Sequence, residues 1–430
     1  MRKALKTISL VFVFLFCLAS NIVNAEAIST PEINAEGSIL IDSSTGEVLY
    51  EKNGEETFEP ASTTKVMTAL VVLDKAKLDD EVTVHEDFTK IDGTAIGLLN
   101  GDVLTVKELL LGLLLESGND CANALAEHIS GNIDDFAKLM NSKAKELGAL
   151  HTNFKNPSGL PDPEHITTPH DLALFMREAI NNKDFIEIST TNSYTITMKN
   201  NSSRTILLNN KNYMINKNSK YYYEYATCGK NGYTTKANHT YVAAAKKDNQ
   251  TLIATFLNAQ DKNQNFNDMK SVFNYGFDNF TSVPLYKKGE EVSEYKIDNT
   301  TTVPLITLKD ISYIVPKGEE NKFTPKLTVE DKDLKRVSFN KGEKILDGKI
   351  TLNDKNYITI DLASGVSREY KSPVKALTTS PKTFTTSIAV ISAVALGAAF
   401  IVFRSILKKK SRLKRFRHLK KNLNKKYSDD

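Results

Sequence analysis

The chain has 430 residues, with 56 lysines and arginines against 52 aspartates and glutamates, and only three cysteines. That length accommodates two domains plus accessory segments. Setting aside residues 1–25 and 404–430 leaves 41 basic against 50 acidic residues, so the slight basic excess sits at the ends and excludes a nucleic-acid surface in between.

Residues 1–25 carry Arg2, Lys3 and Lys6, then an apolar run from Ile8 to Ala19, then a small-residue exit at Val23-Asn24-Ala25. This is the pattern of a secretory signal peptide cut after Ala25; a retained anchor is the alternative, and the run is short for a bilayer. Bulky Phe16 before Cys17 argues against a lipoprotein signal. The remaining cysteines, Cys121 and Cys228, are too few for a disulfide framework. They either pair or stay buried as small apolar groups, and burial is the expectation.

GSILIDSSTGEVLYEKN (37–53) reads as a hairpin around Ser-Thr-Gly. PASTTKVMTALVVLDKA (60–76) follows, with Pro60 and Ser62 as helix-start residues and Val66, Met67, Leu70, Val71 and Leu73 as the apolar face. Thr105 and Glu108 form a capping box, which predicts a buried helix over 106–116. CANALAEHIS predicts a second helix, and DDFAKLMNSKAKELG a third, stopped by Gly148. NPSGLPDPEHI is a loop dense in proline and glycine. Thr168 then caps a helix with Pro169 at its first position.

Strand signals begin near 190. TYVAAAKK and TLIATFLNA flank a turn and predict a hairpin over 240–259, closed by a helix near 266–280. Strands, then helices, then strands give an α+β pattern, a helical part packed on a sheet. From 284 to 371 the runs VPLITL, SYIVP, PKLTVE, GKITL and NYITIDL alternate with turns and predict a small all-β module. Beyond the linker lies SIAVISAVALGAAFIVF (387–403), without charge; from Phe384 to Leu407 a helix would measure about 36 Å, enough for a bilayer core of about 30 Å. Twelve lysines and arginines follow, which places the tail in the cytoplasm and the preceding chain outside. The alternative is a buried helix. The tail also suits contact with anionic lipid.

Ser62 and Lys65 stand three apart, so a helix puts them on one face, with Ser62 on the first turn where N–H groups point outward. A serine hydroxyl attacks well only when a base removes its proton, and a lysine is that base only when neutral. Burial and a second cation bring this about. The spacing alone says little, since Ser-x-x-Lys occurs seven times, at Ser62, Ser142, Ser293, Ser338, Ser372, Ser405 and Ser411. Context singles out Ser62. Ser117-Gly118-Asn119 forms a polar turn between two apolar helices, although the same tripeptide recurs at Ser130. Lys230-Asn231-Gly232 precedes a strand, where the lysine can supply the second cation and the glycine allows close approach of a substrate backbone. No metal-ligand spacing and no phosphate-binding loop occurs, so no metal and no cofactor are expected.

Ser-x-x-Lys, Ser-x-Asn and Lys-Thr-Gly in that order are the joint signature of penicillin-binding proteins and class A β-lactamases. ASTTKVMT, LLLESGNDCANALAEH and CGKNGYTT follow that order. With the hairpin at 37–53, GLLNGDVLTVKELLLGLLLESGND and NPSGLPDPEHITTPHDLALFMREAI, the text resembles the D-alanyl-D-alanine carboxypeptidases, the low-molecular-mass penicillin-binding proteins, over about residues 30–371.

The resemblance implies a β-lactamase/transpeptidase-like catalytic domain, an antiparallel sheet with a helical subdomain, followed by a small all-β domain and a C-terminal transmembrane helix. The expected boundaries are 1–25 signal, 26–281 catalytic, 282–371 all-β, 372–386 linker, 387–407 membrane span and 408–430 basic tail. It implies that Ser62 attacks the carbonyl between two terminal D-alanines of a peptidoglycan stem peptide and is acylated by β-lactam antibiotics as well. Lys65 would be the general base, and Ser117 and Asn119 would relay the proton and orient the substrate. Lys230, Asn231, Gly232 and Thr234 would bind the substrate, and the backbone of Tyr233 with that of Ser62 would form the oxyanion hole. Asn231 departs from the family, which has a hydroxyl residue there to meet the substrate carboxylate. Two alternatives follow. One is a catalytically impaired relative acting as a cell-wall binding or sensing module. The other is a β-lactamase, against which stand the missing Glu-x-x-Leu-Asn pattern, the all-β module and the membrane span.

Overall fold

The structure, a computed structural model, describes residues 29–85, 91–370 and 394–411. The chain divides into two compact units. The first runs to Lys287 and also takes Asp310–Pro325 and Leu352–Lys355. Its central strands are β1 (Gly37–Asp42), β2 (Val48–Lys52), β7 (Ala226–Thr234), β8 (Asn238–Lys247) and β9 (Gln250–Ala259). They form a five-stranded antiparallel sheet in the order β2-β1-β9-β8-β7. All six residues of β1 are buried, because β1 is an interior strand between β2 and β9 and both faces of the sheet are covered. Asp42 closes the first hairpin: its Oδ1 accepts from the N–H of Ser44 and Thr45, and Gly46 takes a left-handed φ of 80°.

Strand alternation divides the core into two. Ile39, Ile41, Val242, Ala244, Ile253 and Leu257 face a helical layer. Leu40, Tyr241, Ala243, Leu252, Ala254 and Phe256 face the opposite side. The helical layer comprises α1 (Lys65–Lys75), α2 (Val106–Leu111), α3 (Asn119–Ser130), α4 (Ile133–Glu146), α5 (Pro169–Ala179) and α6 (Lys183–Thr190). A wider π turn over Gly112–Glu116 extends α2, and 106–116 is largely buried, as its apolar sequence predicts. The Thr105–Glu108 capping box and the Thr168 cap with Pro169 are present. On the other side lies α7 (Lys262–Asn279), which begins a turn earlier than its apolar residues indicate because Asp261 caps it. Gly276 lets α7 close on the sheet: a Cβ there would lie 2.5 Å from Leu252 and 2.8 Å from Leu40. Short pairs complete the unit: β3 (Glu81–Thr83) with β4 (Val103–Thr105), β5 (Ser193–Met198) with β6 (Asn201–Asn209), and β10 (Phe280–Tyr286) with β13 (Ile311–Pro316).

The second unit is built on β11 (Glu291–Lys296), β12 (Thr302–Thr307), β14 (Pro325–Val329), β15 (Lys344–Leu352) and β16 (Lys355–Ser364). These make a five-stranded sheet in the order β11-β12-β16-β15-β14. Val303, Leu305, Leu346, Ile350, Ile360 and Leu362 are buried there. One predicted run, SYIVP, becomes β13 and joins the first unit.

Residues 394–411 form a helix. Among the described residues no helix is long and apolar enough to cross a membrane. The first part of the expected span, 387–393, the signal peptide 1–25 and most of the basic tail lie outside the described residues.

Candidate active site

The chain reaches the nucleophile through a tight corner. Pro60 precedes Ala61, whose φ of 48° is left-handed, and a 3-10 turn (Ala61–Thr64) delivers Ser62 immediately before α1. The corner is tied to the sheet by the Thr240 hydroxyl on β8, which donates to the Pro60 carbonyl at 2.9 Å. Lys65, the first residue of α1, is fully buried. Its Nζ lies 3.0 Å from Ser62 Oγ, 2.8 Å from Asn119 Oδ1 and 2.6 Å from the Ser158 carbonyl.

Those three contacts can be met by the three N–H groups of an ammonium or by an uncharged amine. Asn119 Nδ2 donates to the Asp92 carbonyl at 2.7 Å, so its Oδ1 faces the lysine. The oxygens of Asn119 and Ser158 only accept. A neutral amine has two N–H donors for them and one lone pair, which is left for the Ser62 hydroxyl. Burial pushes the Lys65 ammonium well below its ordinary range; the charge of Lys230 adds to this, while Cys121 and Asp120 oppose it.

The Ser117-Gly118-Asn119 turn lies where the π turn ends, and Ser117 takes a left-handed φ of 66°. Its Oγ is buried without a hydrogen-bond partner among the described residues. Asp120 anchors the facing loop by accepting from the N–H groups of Ile96, Gly97 and Leu98. Across the cleft runs β7, the outer strand of the sheet. Lys230 is 2% exposed, and burial lowers its pKa to about 7. Its Nζ donates to the carbonyl of Asn231 at 2.7 Å.

Gly232 lies where β7 passes the nucleophile's turn. A Cβ there would lie 2.6 Å from the Ser62 nitrogen and 2.5 Å from Thr240 Oγ1. The glycine therefore admits the nucleophile's own turn to the strand. Tyr233 is 58% exposed and tilts on His239, ring centres 4.6 Å apart. Thr234 Oγ1 accepts from the Ala237 N–H at 2.9 Å.

Two cavities meet at Ser62, Thr94 and Tyr233. One, of about 400 Å³, holds Ser117, Lys230, Asn231, His239 and Lys262. The other, of about 320 Å³, runs past Asn119, Ser158, Gly159 and Thr234. A larger cavity, about 950 Å³, lies near Glu81, His85 and Asp134 and contains none of these groups. Sequence reasoning brings forward Ser62, Lys65, Ser117, Asn119, Lys230, Asn231, Gly232, Tyr233 and Thr234, and all line this one cleft or pack directly beneath it. It misses the Ser158 carbonyl, Thr94 and Lys262. A backbone acceptor leaves no mark in side-chain identity, and the other two stand far from the motifs in the chain. Cys121 and Cys228 are both free and buried, as expected.

A buried lysine on a serine hydroxyl, at the junction of a helical layer and an antiparallel sheet, defines a serine acyl-transfer enzyme of the penicillin-binding and transpeptidase type. Comparison with known proteins makes the class specific. Residues 24–261 match the family described as D-alanyl-D-alanine carboxypeptidase, peptidase S11, and residues 280–370 match the C-terminal domain of penicillin-binding protein 5. The carboxypeptidase DacF of Bacillus subtilis is 32% identical over 354 residues, 80% of this chain and 89% of that protein. Penicillin-binding protein 5 of Haemophilus influenzae superimposes with a TM-score of 0.65 at 26% identity, covering 79% of this chain and 98% of that one. The D-alanyl-D-alanine carboxypeptidase of Mycobacterium tuberculosis gives a TM-score of 0.54 at 32% identity, covering 59% of this chain and 95% of that one. The chain belongs to the D-alanyl-D-alanine carboxypeptidase family and is a serine carboxypeptidase.

Proposed function

We propose that the chain removes the terminal D-alanine from peptidoglycan stem pentapeptides through an acyl-enzyme on Ser62. The observation that carries this reading is the Lys65 amine, enclosed by two acceptor-only oxygens and the Ser62 hydroxyl. Lys65 takes the hydroxyl proton, and Ser62 Oγ adds to the carbonyl between the two D-alanines. The backbone N–H groups of Ser62 and Tyr233 receive the oxyanion; the close passage of β7 at Gly232 supports that pairing. The unpartnered Ser117 hydroxyl relays the proton from Lys65 to the departing amine. Water then attacks the ester, Lys65 again acting as base. A β-lactam enters by the same acylation.

The substrate's terminal carboxylate belongs in the 400 Å³ cavity. Lys211 there pairs with Glu116 at 3.1 Å, and burial brings Lys230 to about 7. Lys262 pairs with no carboxylate among the described residues, and its ammonium lies 5.6 Å from the ring centre of Tyr213. Lys262 supplies the charge, Lys230 adds its own once a carboxylate stabilises its protonated form, and the Asn231 amide donates where the family has a hydroxyl.

The apolar run 387–403 with its basic flank supports a single-pass protein in the cytoplasmic membrane, the catalytic unit outside and the tail within. Protease treatment of intact cells tests this: only the tail should be protected. The enzymatic reading is tested by incubation with a pentapeptide ending in D-Ala-D-Ala. D-alanine release that is lost in Ser62→Ala supports it. Stable penicillin labelling without release would favour the impaired alternative, and absence of both would defeat the serine mechanism.

A further inference from the structure

His165 is 1% exposed and takes no part in the chemistry above. It sits inside the loop that carries Ser158. The neck of that loop is closed by paired backbone bonds between Asn153 and Ile166, at 2.9 and 3.0 Å. The tip is stiffened by Asn156 Oδ1, which accepts from the N–H groups of Ser158, Gly159 and Leu160.

The ring has a defined tautomer. Nδ1 is 3.1 Å from the Lys155 nitrogen, whose N–H can only donate, so Nδ1 carries no hydrogen. The hydrogen of the neutral ring is on Nε2, which lies 2.9 Å from Thr64 Oγ1 and donates to it. Phe154 packs its ring edge-on against the imidazole at 5.5 Å. Thr64 immediately precedes Lys65. One turn later the Thr68 hydroxyl donates to the Pro157 carbonyl at 2.6 Å. Between these two anchors the Ser158 carbonyl meets Lys65.

We propose that His165 is a positioning residue for the general base: its Nε2–H, donated to Thr64, holds the loop on α1 so that the Ser158 carbonyl keeps one N–H of Lys65 and the lone pair stays on Ser62. This rests on Lys65 being the base of the reaction. The groups whose charges reach His165 are Asp162 in its own loop and Lys65 on α1. Burial lowers its pKa to about 4, Asp162 opposes and Lys65 adds, so the neutral ring persists at neutral pH. Loss of the contact frees the loop, admits water beside Lys65 and restores part of its basicity.

The two ring nitrogens are separable by substitution. His165→Asn retains an acceptor for Lys155 but does not reach Thr64; His165→Gln reaches Thr64 with a donor. The measurement is the second-order rate of Ser62 acylation by a fluorescent penicillin from pH 5 to 10, with Tm alongside. His165→Asn should slow acylation about tenfold, the loss expected for one buried hydrogen bond, and move the acidic limb to higher pH. His165→Gln should restore the rate to within about threefold of wild type. Thr64→Val should reproduce His165→Asn, Thr64→Ser should rescue it, and the double variant His165→Asn/Thr64→Val should be no slower than either single one. If His165→Asn fails to fold, the Thr64→Val and Thr64→Ser pair decides alone. A lowered Tm with unchanged rate and limb, or two effects that multiply, would show His165 to be loop filling only. A wild-type protein that takes up no penicillin would instead overturn the serine mechanism itself.

Discussion

Replacing Gly232 with alanine tests how closely β7 and the nucleophile turn must meet. The new methyl would begin 2.6 Å from the Ser62 nitrogen, 2.5 Å from Thr240 Oγ1 and 3.1 Å from the Thr63 nitrogen. Ordinary contact starts at 3.4 Å, so the turn has to retreat by about 0.8 Å. Thr240 resists, because it holds the Pro60 carbonyl from the neighbouring strand β8. The retreat separates the two N–H groups proposed for the oxyanion hole. A displacement near 1 Å costs about a hundredfold in a reaction that depends on placement. Overpacking adds a stability loss of about 1–3 kcal/mol. Stopped-flow acylation by a chromogenic cephalosporin measures the first, and thermal unfolding measures the second. Gly232→Ala should acylate about a hundredfold more slowly while still unfolding in one cooperative transition. A folded variant acylating within threefold of wild type would refute the claim that the strand and the turn together form the hole.

Two further predictions concern the same strand. Burial lowers Lys230 from 10.5 to about 7, a cost on the order of 5 kcal/mol. Below pH 7 both folded and unfolded chains hold the proton, and the folded state bears the whole cost. Between 7 and 10.5 only the unfolded chain is protonated, so stability rises with pH. Lys230→Met should therefore raise Tm at pH 6, with the gain gone near pH 10.5, and should weaken substrate binding; no gain at pH 6 would contradict a buried cation. Asn231→Thr restores a hydroxyl facing Lys262 and Lys230, and should raise kcat/KM for D-alanine release about tenfold. An unchanged value would mean that the amide already serves the carboxylate.

Much of this architecture is legible in the sequence because it rests on local rules. The Thr105–Glu108 box, Pro169 behind Thr168, and the two apolar runs flanking a turn in 240–259 each specify an element through neighbours in the chain. The six consecutive buried residues of β1 read equally well as a strand. The short helix α6 does not stand out, since KDFIEIST is only eight residues long and owes its start to the Asn182 cap. At the site, the paired short motifs identify the side chains that meet. They do not reveal what holds those side chains. Lys65 depends on a main-chain carbonyl 93 residues away and on the Asn156, His165 and Thr64 contacts that fix it. Such groups are written as loop composition, and only folding gives them neighbours. Gly232 carries a second such contact: its sequence permits close approach, but the passage of the Ser62 turn is a tertiary fact.

The account depends most on the protonation state of Lys65. Titration of its 13Cε resonance by NMR, assigned by comparison with Lys65→Arg and run on the Ser62→Ala protein as well, reads that state directly. The midpoint should fall far below 10.5, and the acylation rate should rise with pH through the same midpoint. A midpoint near 10.5, with acylation already complete at neutral pH, would contradict the proposal that a neutral lysine activates Ser62.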